Sequence, residues 1–314
     1  MALCLVMLVS GCATQSLNPL ARNEATAVPG LAMNLHAASA GEGNTDQVLA
    51  TLYFRYLNEP MLAAEDRMLT VQRDESVELA LVRALVEGPS AGGSELRRLL
   101  PANASVQSVT SRNDILFVTF DDALLRDEVP TNWRELADWQ TEAPIRRMLA
   151  LQSIAASITE LFPYTGIQIL VYRTDEVQTN LRLENSYFLT DQEGLSDPIA
   201  RNEDYILTPY NTAKHLLDAW QQHDFERLYH YVSEQEKPSY AIMKEMLESA
   251  NALTAFSVSA GSVSTDGTRA TLTLSLRTLA GGISSETNAF PLHLTRDHGI
   301  WKIDYAQLIA LMNR

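Results

Sequence analysis

Ser76-Val-Glu-Leu-Ala-Leu-Val-Arg-Ala-Leu-Val-Glu-Gly88-Pro89 decides how this chain is read. Val77, Leu81, Ala84 and Leu85 recur at helical spacing, with Ser76 placed to cap the N-terminus. Gly88 and Pro89 then stop the helix, since a glycine just past the last turn followed by proline is how helices commonly end. These two residues mark architecture and carry no chemistry. A Leu-rich segment, Leu96-Arg-Arg-Leu-Leu-Pro101, closes the stretch.

Strands are expected on both sides of this helix. Residues 49–57 are rich in β-formers and end at Asn58-Glu59-Pro60, and 68–73 forms a second strand. Residues 104–109 and 114–120 are two more, joined through Ser111-Arg112-Asn113. Leu116, Val118 and Phe120 share one face of the latter and Ile115 and Phe117 the other, so it is expected to be central and buried. A polar connection, 121–143, holds a short helix over 132–139 capped by Thr131. Met148, Leu151, Ala155, Ile158 and Phe162 mark the longest helix, ended by Pro163, and 166–173 is a further strand. The order β-β-α-β-β-α-β predicts an α+β sandwich with helices on one face of a sheet.

Several of these residues carry a resemblance. Leu52-Tyr53-Phe54, the helix ending in Leu85-Val86-Glu87-Gly88-Pro89, Leu100-Pro101, Leu116-Phe117-Val118-Thr119-Phe120-Asp121, Ser157-Ile158-Thr159-Glu160-Leu161 and Ile167-Gln168-Ile169-Leu170-Val171 follow in that order. Over about 48–180 the chain resembles the GerMN domain family of spore-germination and sporulation lipoproteins. Tyr172-Arg173-Thr174 departs from the Val-Asp-Gly turn of that pattern. The resemblance implies an extracytoplasmic, non-enzymatic module. It also implies kinship with ring-building modules of sporulation membrane complexes, and with it homo-oligomerisation as an expectation.

Residues 181–205 read as a polar connecting arm. Thr208-Pro209 opens a helix, with Thr at the cap and Pro at the first position, and Ala213, Leu216, Leu217 and Trp220 form its apolar face. Short helices over 224–232 and 238–250 follow, then strands over 254–264, 269–279, 290–295 and 300–304. Asp266-Gly267 is a tight-turn signal, and Leu272, Leu274 and Leu276 alternate with polar neighbours. Three helices followed by a curved antiparallel sheet make a cone over 206–314. Leu216-Leu217-Asp218-Ala219-Trp220, Asp224-Phe225 and Gly299-Ile300-Trp301-Lys302-Ile303 resemble the superfamily of nuclear transport factor two and the SnoaL-like cyclases. Trp220, Leu274 and Leu292 are the candidate lining of the cone.

The 314 residues carry a net charge of −15, which repels phosphate backbones, so no nucleic-acid partner is expected. The only cysteines are Cys4 and Cys12, which excludes a disulfide framework and a cysteine-ligated metal. Residues 1–9 are almost wholly apolar, too short to span a bilayer and of signal-peptide length. Val9-Ser10-Gly11-Cys12 resembles the bacterial lipobox. That implies a signal peptide over 1–11, cleavage before Cys12, and acylation there with palmitate-type chains. No Lys or Arg precedes the apolar run, so a start further upstream is expected. Residues 12–47, rich in Ala, Gly, Ser, Thr and Asn, read as the lipidated cysteine and a flexible tether. The expected location is the extracytoplasmic face of a membrane, the outer membrane included where the host has two.

No catalytic constellation is legible. There is no His-Glu-x-x-His, no Gly-x-Ser-x-Gly elbow, and Gly92-Gly93 lacks a following Lys-Ser/Thr. Asp121-Asp122 and Glu65-Asp66 read as solvated turns. His293 falls on the polar face of its strand, and His215 and His223 have no partner that the sequence identifies. The expected function is therefore a non-enzymatic envelope lipoprotein, without cofactor or metal. Its expected partners are a second copy, a sporulation or germination membrane complex, or peptidoglycan. A small apolar ligand in the cone and an enzyme acting on peptidoglycan are the alternatives.

Overall fold

A computed structural model of the chain describes residues 45–90, 95–126, 128–173 and 179–314. The expected signal peptide, Cys12, all of the expected tether up to residue 44, Gly92-Gly93 and Thr174 lie outside the described residues.

The deciding helix, α1 (Val77–Glu87), forms between the expected caps. Ser76 Oγ accepts from Leu79 N at 3.2 Å, and Gly88, at φ +91°, donates its N–H to Ala84 O at 3.2 Å. A Cβ on Gly88 would come within 2.8 Å of Arg98 Nε, so the stop needs glycine for space as well as for conformation. Leu81, Val82 and Leu85 are buried. The stop is also tied to the neighbouring strand: Arg67 donates to Gly88 O at 2.9 Å and Glu65 accepts from Ser90 N at 3.0 Å.

That strand is β2 (Leu62–Gln72), antiparallel to β1 (Thr45–Tyr56) from Thr45 opposite Gln72 to Arg55 opposite Leu62. Both run longer than expected. β1 takes up residues 45–47 of the expected tether, and β2 begins six residues before the expected 68, because the long two-stranded ribbon satisfies backbone that composition alone leaves open. A two-residue strand, β3 (Leu96–Arg97), pairs with the end of β1.

The remaining strands of this half form a second sheet, in the order β4-β5-β6-β7. They are β4 (Val106–Arg112), β5 (Ile115–Asp121), β6 (Gly166–Arg173) and β7 (Thr179–Arg182). The expected single sheet is thus two, with β3 and β7 added to the expected order, and β7 taking in the start of the expected connecting arm. β5 is central as expected, parallel to β6 from Ile115 opposite Gly166. Leu116, Val118 and Phe120 are buried, whereas Ile115 and Phe117 are only half-buried, so one face alone is fully covered.

The crossover between β5 and β6 is α2 (Ala137–Leu161). It absorbs the end of the expected short helix, which survives only as a 3-10 turn at Trp133–Glu135. Pro144 lies inside α2, and a proline in a polar, weakly periodic stretch reads as a boundary rather than an interior. α1 packs on β1, β2 and β4, and α2 on β1 and β6, so the helices touch both sheets. Two serines of α2 complete the free edge of β1: Ser157 Oγ accepts from Tyr53 N at 2.9 Å and Ser153 Oγ donates to Tyr53 O at 2.5 Å.

The second half opens on α3 (Pro209–Gln221), capped by Thr208, with Ala213, Leu216, Leu217 and Trp220 buried as its periodicity predicts. Then come α4 (Phe225–His230) and α5 (Tyr240–Ser249), both shorter than read. An antiparallel sheet in the order β11-β10-β9-β8 follows. Its strands are β8 (Ala252–Val263), β9 (Arg269–Ala280), β10 (Ile283–Asp297) and β11 (Ile300–Lys302). β10 starts before the expected 290 because an irregularity between Thr287 and Phe290, with Ala289 at φ +57°, interrupts the alternation that marks a strand. A sixth helix, α6 (Tyr305–Met312), buries Leu308, Leu311 and Met312 and was not expected.

The halves meet through backbone as well as side chains. Leu207 N donates to Leu62 O at 2.8 Å, and Leu62 pairs with Ile206. In the β10–β11 turn, Gly299 (φ +87°) approaches β2 so closely that a Cβ would lie 2.1 Å from Ala64 O. One cluster of buried apolar residues runs from Leu52 and Leu62 through Trp220 to Leu274 and Leu308.

Candidate functional site

Where the halves meet, charged side chains from several elements are drawn together. The β1–β2 turn carries Glu59, α4 carries Arg227 and α3 carries His215. Arg227 Nε donates to Glu59 Oε1 at 2.8 Å, its Nη2 lies 2.7 Å from Oε2, and the same nitrogen is 2.7 Å from His215 Nδ1. A guanidinium has donors only, so His215 Nδ1 is the acceptor and its imidazole is neutral. Burial and then Arg227 hold the pKa of His215 below its ordinary value. Burial opposes the charge on Arg227, and the Glu59 carboxylate more than offsets it, so its pKa is raised.

The turn that presents Glu59 is itself clamped. Arg55, buried in β1, donates to Glu59 O and Asn58 O, both at 2.8 Å, and pairs with Glu142 of α2. Arg55 thereby positions Glu59 through the backbone.

A second pair lies alongside. Lys302 of β11 is 1% exposed, and its Nζ donates to Glu95 Oε2 at 2.6 Å. Tyr56 Oη donates to His230 O at 2.8 Å, and its ring packs on Tyr231 with centroids 5.7 Å apart. Burial and then Glu95 raise the Tyr56 pKa; burial and then Glu59 raise that of Tyr231, whose hydroxyl is buried without a hydrogen-bond partner. His230 Nδ1 stands 4.0 Å from Glu95, and burial lowers its pKa despite that carboxylate.

Chemically, this junction holds rather than reacts. Each carboxylate is spent on a cation, and the group nearest to a base, His215, is spent on a guanidinium. Among the described residues, no group of three or more His, Cys, Asp and Glu side chains is placed to hold a metal.

Of the residues singled out in the sequence, His215 lies in the junction, with Arg227 as its partner, and the others lie elsewhere. Trp220, Leu274 and Leu292 are 1%, 0% and 0% exposed, and Trp220 Nε1 donates to Asn251 O at 3.0 Å. Leu274 stands opposite Phe290 and Leu292 opposite Leu272. They are packed core side chains. His293 lies on the polar face, 3.0 Å from Thr271 Oγ1, and His223, at φ +57°, sits against the Phe225 ring. Glu65 and Asp66 are not a turn: they occupy successive positions of β2 and so point to opposite faces. Glu65 holds Arg67 and Ser90, whereas Asp66 accepts from Thr51 Oγ1. Asp121 accepts from Ser105 N, while Asp122 pairs with Arg126.

Sequence reading missed the junction. Glu59 and Arg227 are 168 positions apart, Glu95 and Lys302 207. The one local signal was Lys302 within Ile300-Trp301-Lys302-Ile303, a cation inside an apolar strand, which must be paired if buried. Among the described residues, no helix is long and apolar enough to cross a membrane.

Residues 51–172 match the Germane family, described as sporulation and spore germination. No curated protein matches the chain. Among solved structures, the chain is similar to the tandem GerMN domains of the sporulation protein GerM from Bacillus subtilis. The identity is 15%, with 53% of this chain and 50% of that one covered and a TM-score of 0.34. The chain therefore spans half the length of that structure. The first GerMN domain of the same protein is 14% identical, with 49% and 98% covered and a TM-score of 0.29. The helical cell shape determining protein Pgp2 from Campylobacter jejuni is 11% identical, with 82% and 73% covered and a TM-score of 0.22.

Proposed function

We propose that this chain is a non-catalytic lipoprotein of the extracytoplasmic envelope that binds or scaffolds envelope components in sporulation, germination or wall processes. The observation that carries the reading is the match of residues 51–172 to the Germane family. The mutual saturation of the junction's charged groups supports a structural role over a catalytic one. Acylation at Cys12 of the lipobox-like Val9-Ser10-Gly11-Cys12 supplies the anchor, and more than one acyl chain makes such anchoring stable. The partners are a second copy, a membrane complex of sporulation or germination, or peptidoglycan. The second half, over 206–314, is proposed as a cone-shaped module; a ligand inside it would have to part Trp220, Leu274 and Leu292, which are packed together in the core.

The test is light scattering of the purified chain with and without isolated sacculi. A defined oligomer, or co-sedimentation with the wall, supports scaffolding. A monomer that stays in solution overturns it. Cys12→Ala tests the anchor: it is expected to move the chain out of the membrane fraction and abolish palmitate labelling, and retention with labelling would sink lipidation at Cys12.

A further inference from the structure

We infer that the junction between the two halves is an acid-released latch whose trigger is His215. The argument starts from the hydrogen bond. Arg227 Nη2 lies 2.7 Å from His215 Nδ1, and that contact exists only while Nδ1 is unprotonated. A proton arriving there removes the acceptor and sets a second cation against the guanidinium.

The surroundings do not absorb that charge. From α3 itself come Lys214 and Asp218, from α4 Arg227, from the β1–β2 turn Glu59, and beyond α4 the Tyr231 hydroxyl. Glu59 is the carboxylate nearest to hand from the first half, and both of its oxygens are already committed to Arg227. Asp218 and Lys214, on the same helix, act on His215 with opposite sign. The stable responses to protonation are for Arg227 to leave His215 or for α3 and α4 to withdraw from the turn. Either one loosens Glu59, the side-chain ion pair that ties α4 to the first half beside the Tyr56 hydrogen bond to His230 O. His230 is a poorer trigger, because Glu95 stands 4.0 Å away and can accept its charge.

The direction with pH follows from linkage. The folded state holds the His215 pKa below the free value of 6.5. Stability is therefore fully present above pH 6.5 and is lost as pH falls from there through the depressed folded value. This is the range in which histidine switches operate, and an envelope protein meets external pH directly. The latch does not depend on the proposed scaffold function, and its test reads the junction alone.

The experiment is amide hydrogen exchange on the full chain at pH 7.5 and 5.5, referred to intrinsic exchange rates. The amides of Leu207, Tyr231 and Ser233 report the junction, and those of paired Leu272 and Leu292 report the β9–β10 core. The junction amides are expected to lose up to about tenfold in protection between the two pH values, with the core unchanged. His215→Asn, which keeps an uncharged acceptor near the Nδ1 position, is expected to flatten the response. His215→Lys is expected to show the acid pattern already at pH 7.5. A wild-type junction indifferent to pH, or a His215→Asn variant that responds like wild type, overturns the latch. Because His215→Asn preserves packing, a misfolded His215→Lys leaves the test intact.

Discussion

Ser153 and Ser157 do for β1 at Tyr53 what a longer third strand would. Their hydroxyls serve the N–H and C=O that β3, only two residues long, does not reach. Replacing either by Ala leaves a buried backbone group unpaired, and each single change is expected to cost about 1–3 kcal/mol in urea unfolding. Wild-type stability in Ser153→Ala would show that water or a backbone shift takes over. Lys302 makes the same point with charge. Lys302→Met keeps the buried stem but strands Glu95, and is expected to cost about 3–5 kcal/mol. Adding Glu95→Gln removes the stranded charge and is expected to recover most of the loss. A double variant no better than the single one would mean that Lys302 matters for packing rather than for pairing.

At the scale of elements, what was legible was what is local. α1 is bounded by a cap and a stop within its own sequence, and α3 by Thr208-Pro209, so both were read from neighbours a few residues apart. α2 was misplaced because Pro144 imitates a boundary and because the contacts that hold the helix through it come from β1 and β6. The division into two sheets was illegible, since strand order is a property of pairing partners and not of periodicity. The ionic junction lay further out of reach, its partners being up to 207 positions apart. The β10–β11 turn shows the two levels together. Asp297-His298-Gly299 has the composition of a turn, but nothing in those residues tells that Gly299 presses on Ala64 of β2. Gly299→Ala is expected to cost about 2–5 kcal/mol, from left-handed strain plus the clash with backbone. Gly267→Ala is the control, for it has φ +69° with open space around it, and should cost about 1–2 kcal/mol. Equal losses in the two variants would show that the Ala64 approach relaxes without penalty.

For the molecule as a whole, the question is whether the halves unfold together. A chain of this length with two recognisable modules usually comes apart in steps. Here the buried apolar cluster is continuous, a backbone hydrogen bond joins Leu207 to Leu62, and the ion pairs Arg227–Glu59, Lys302–Glu95 and Arg296–Asp66 cross the boundary. Exposing either half alone would strand Lys302 or Glu95 and open the contact at Gly299, so partial unfolding loses much of what both halves gain. A single transition near pH 7.5 is therefore expected, with calorimetric and van't Hoff enthalpies equal. The four tryptophans give an independent check. Trp133 and Trp139 lie in the first half and Trp220 and Trp301 in the second, so a Trp133→Phe/Trp139→Phe variant reports the second half by fluorescence while circular dichroism reports both. Coincident curves would establish one cooperative unit. Two separated transitions would mean that the junction is a contact between independently stable modules. In Lys302→Met, whose crossing pair is cut, the curves are expected to separate, with the less stable half melting first and the buried core of the other persisting.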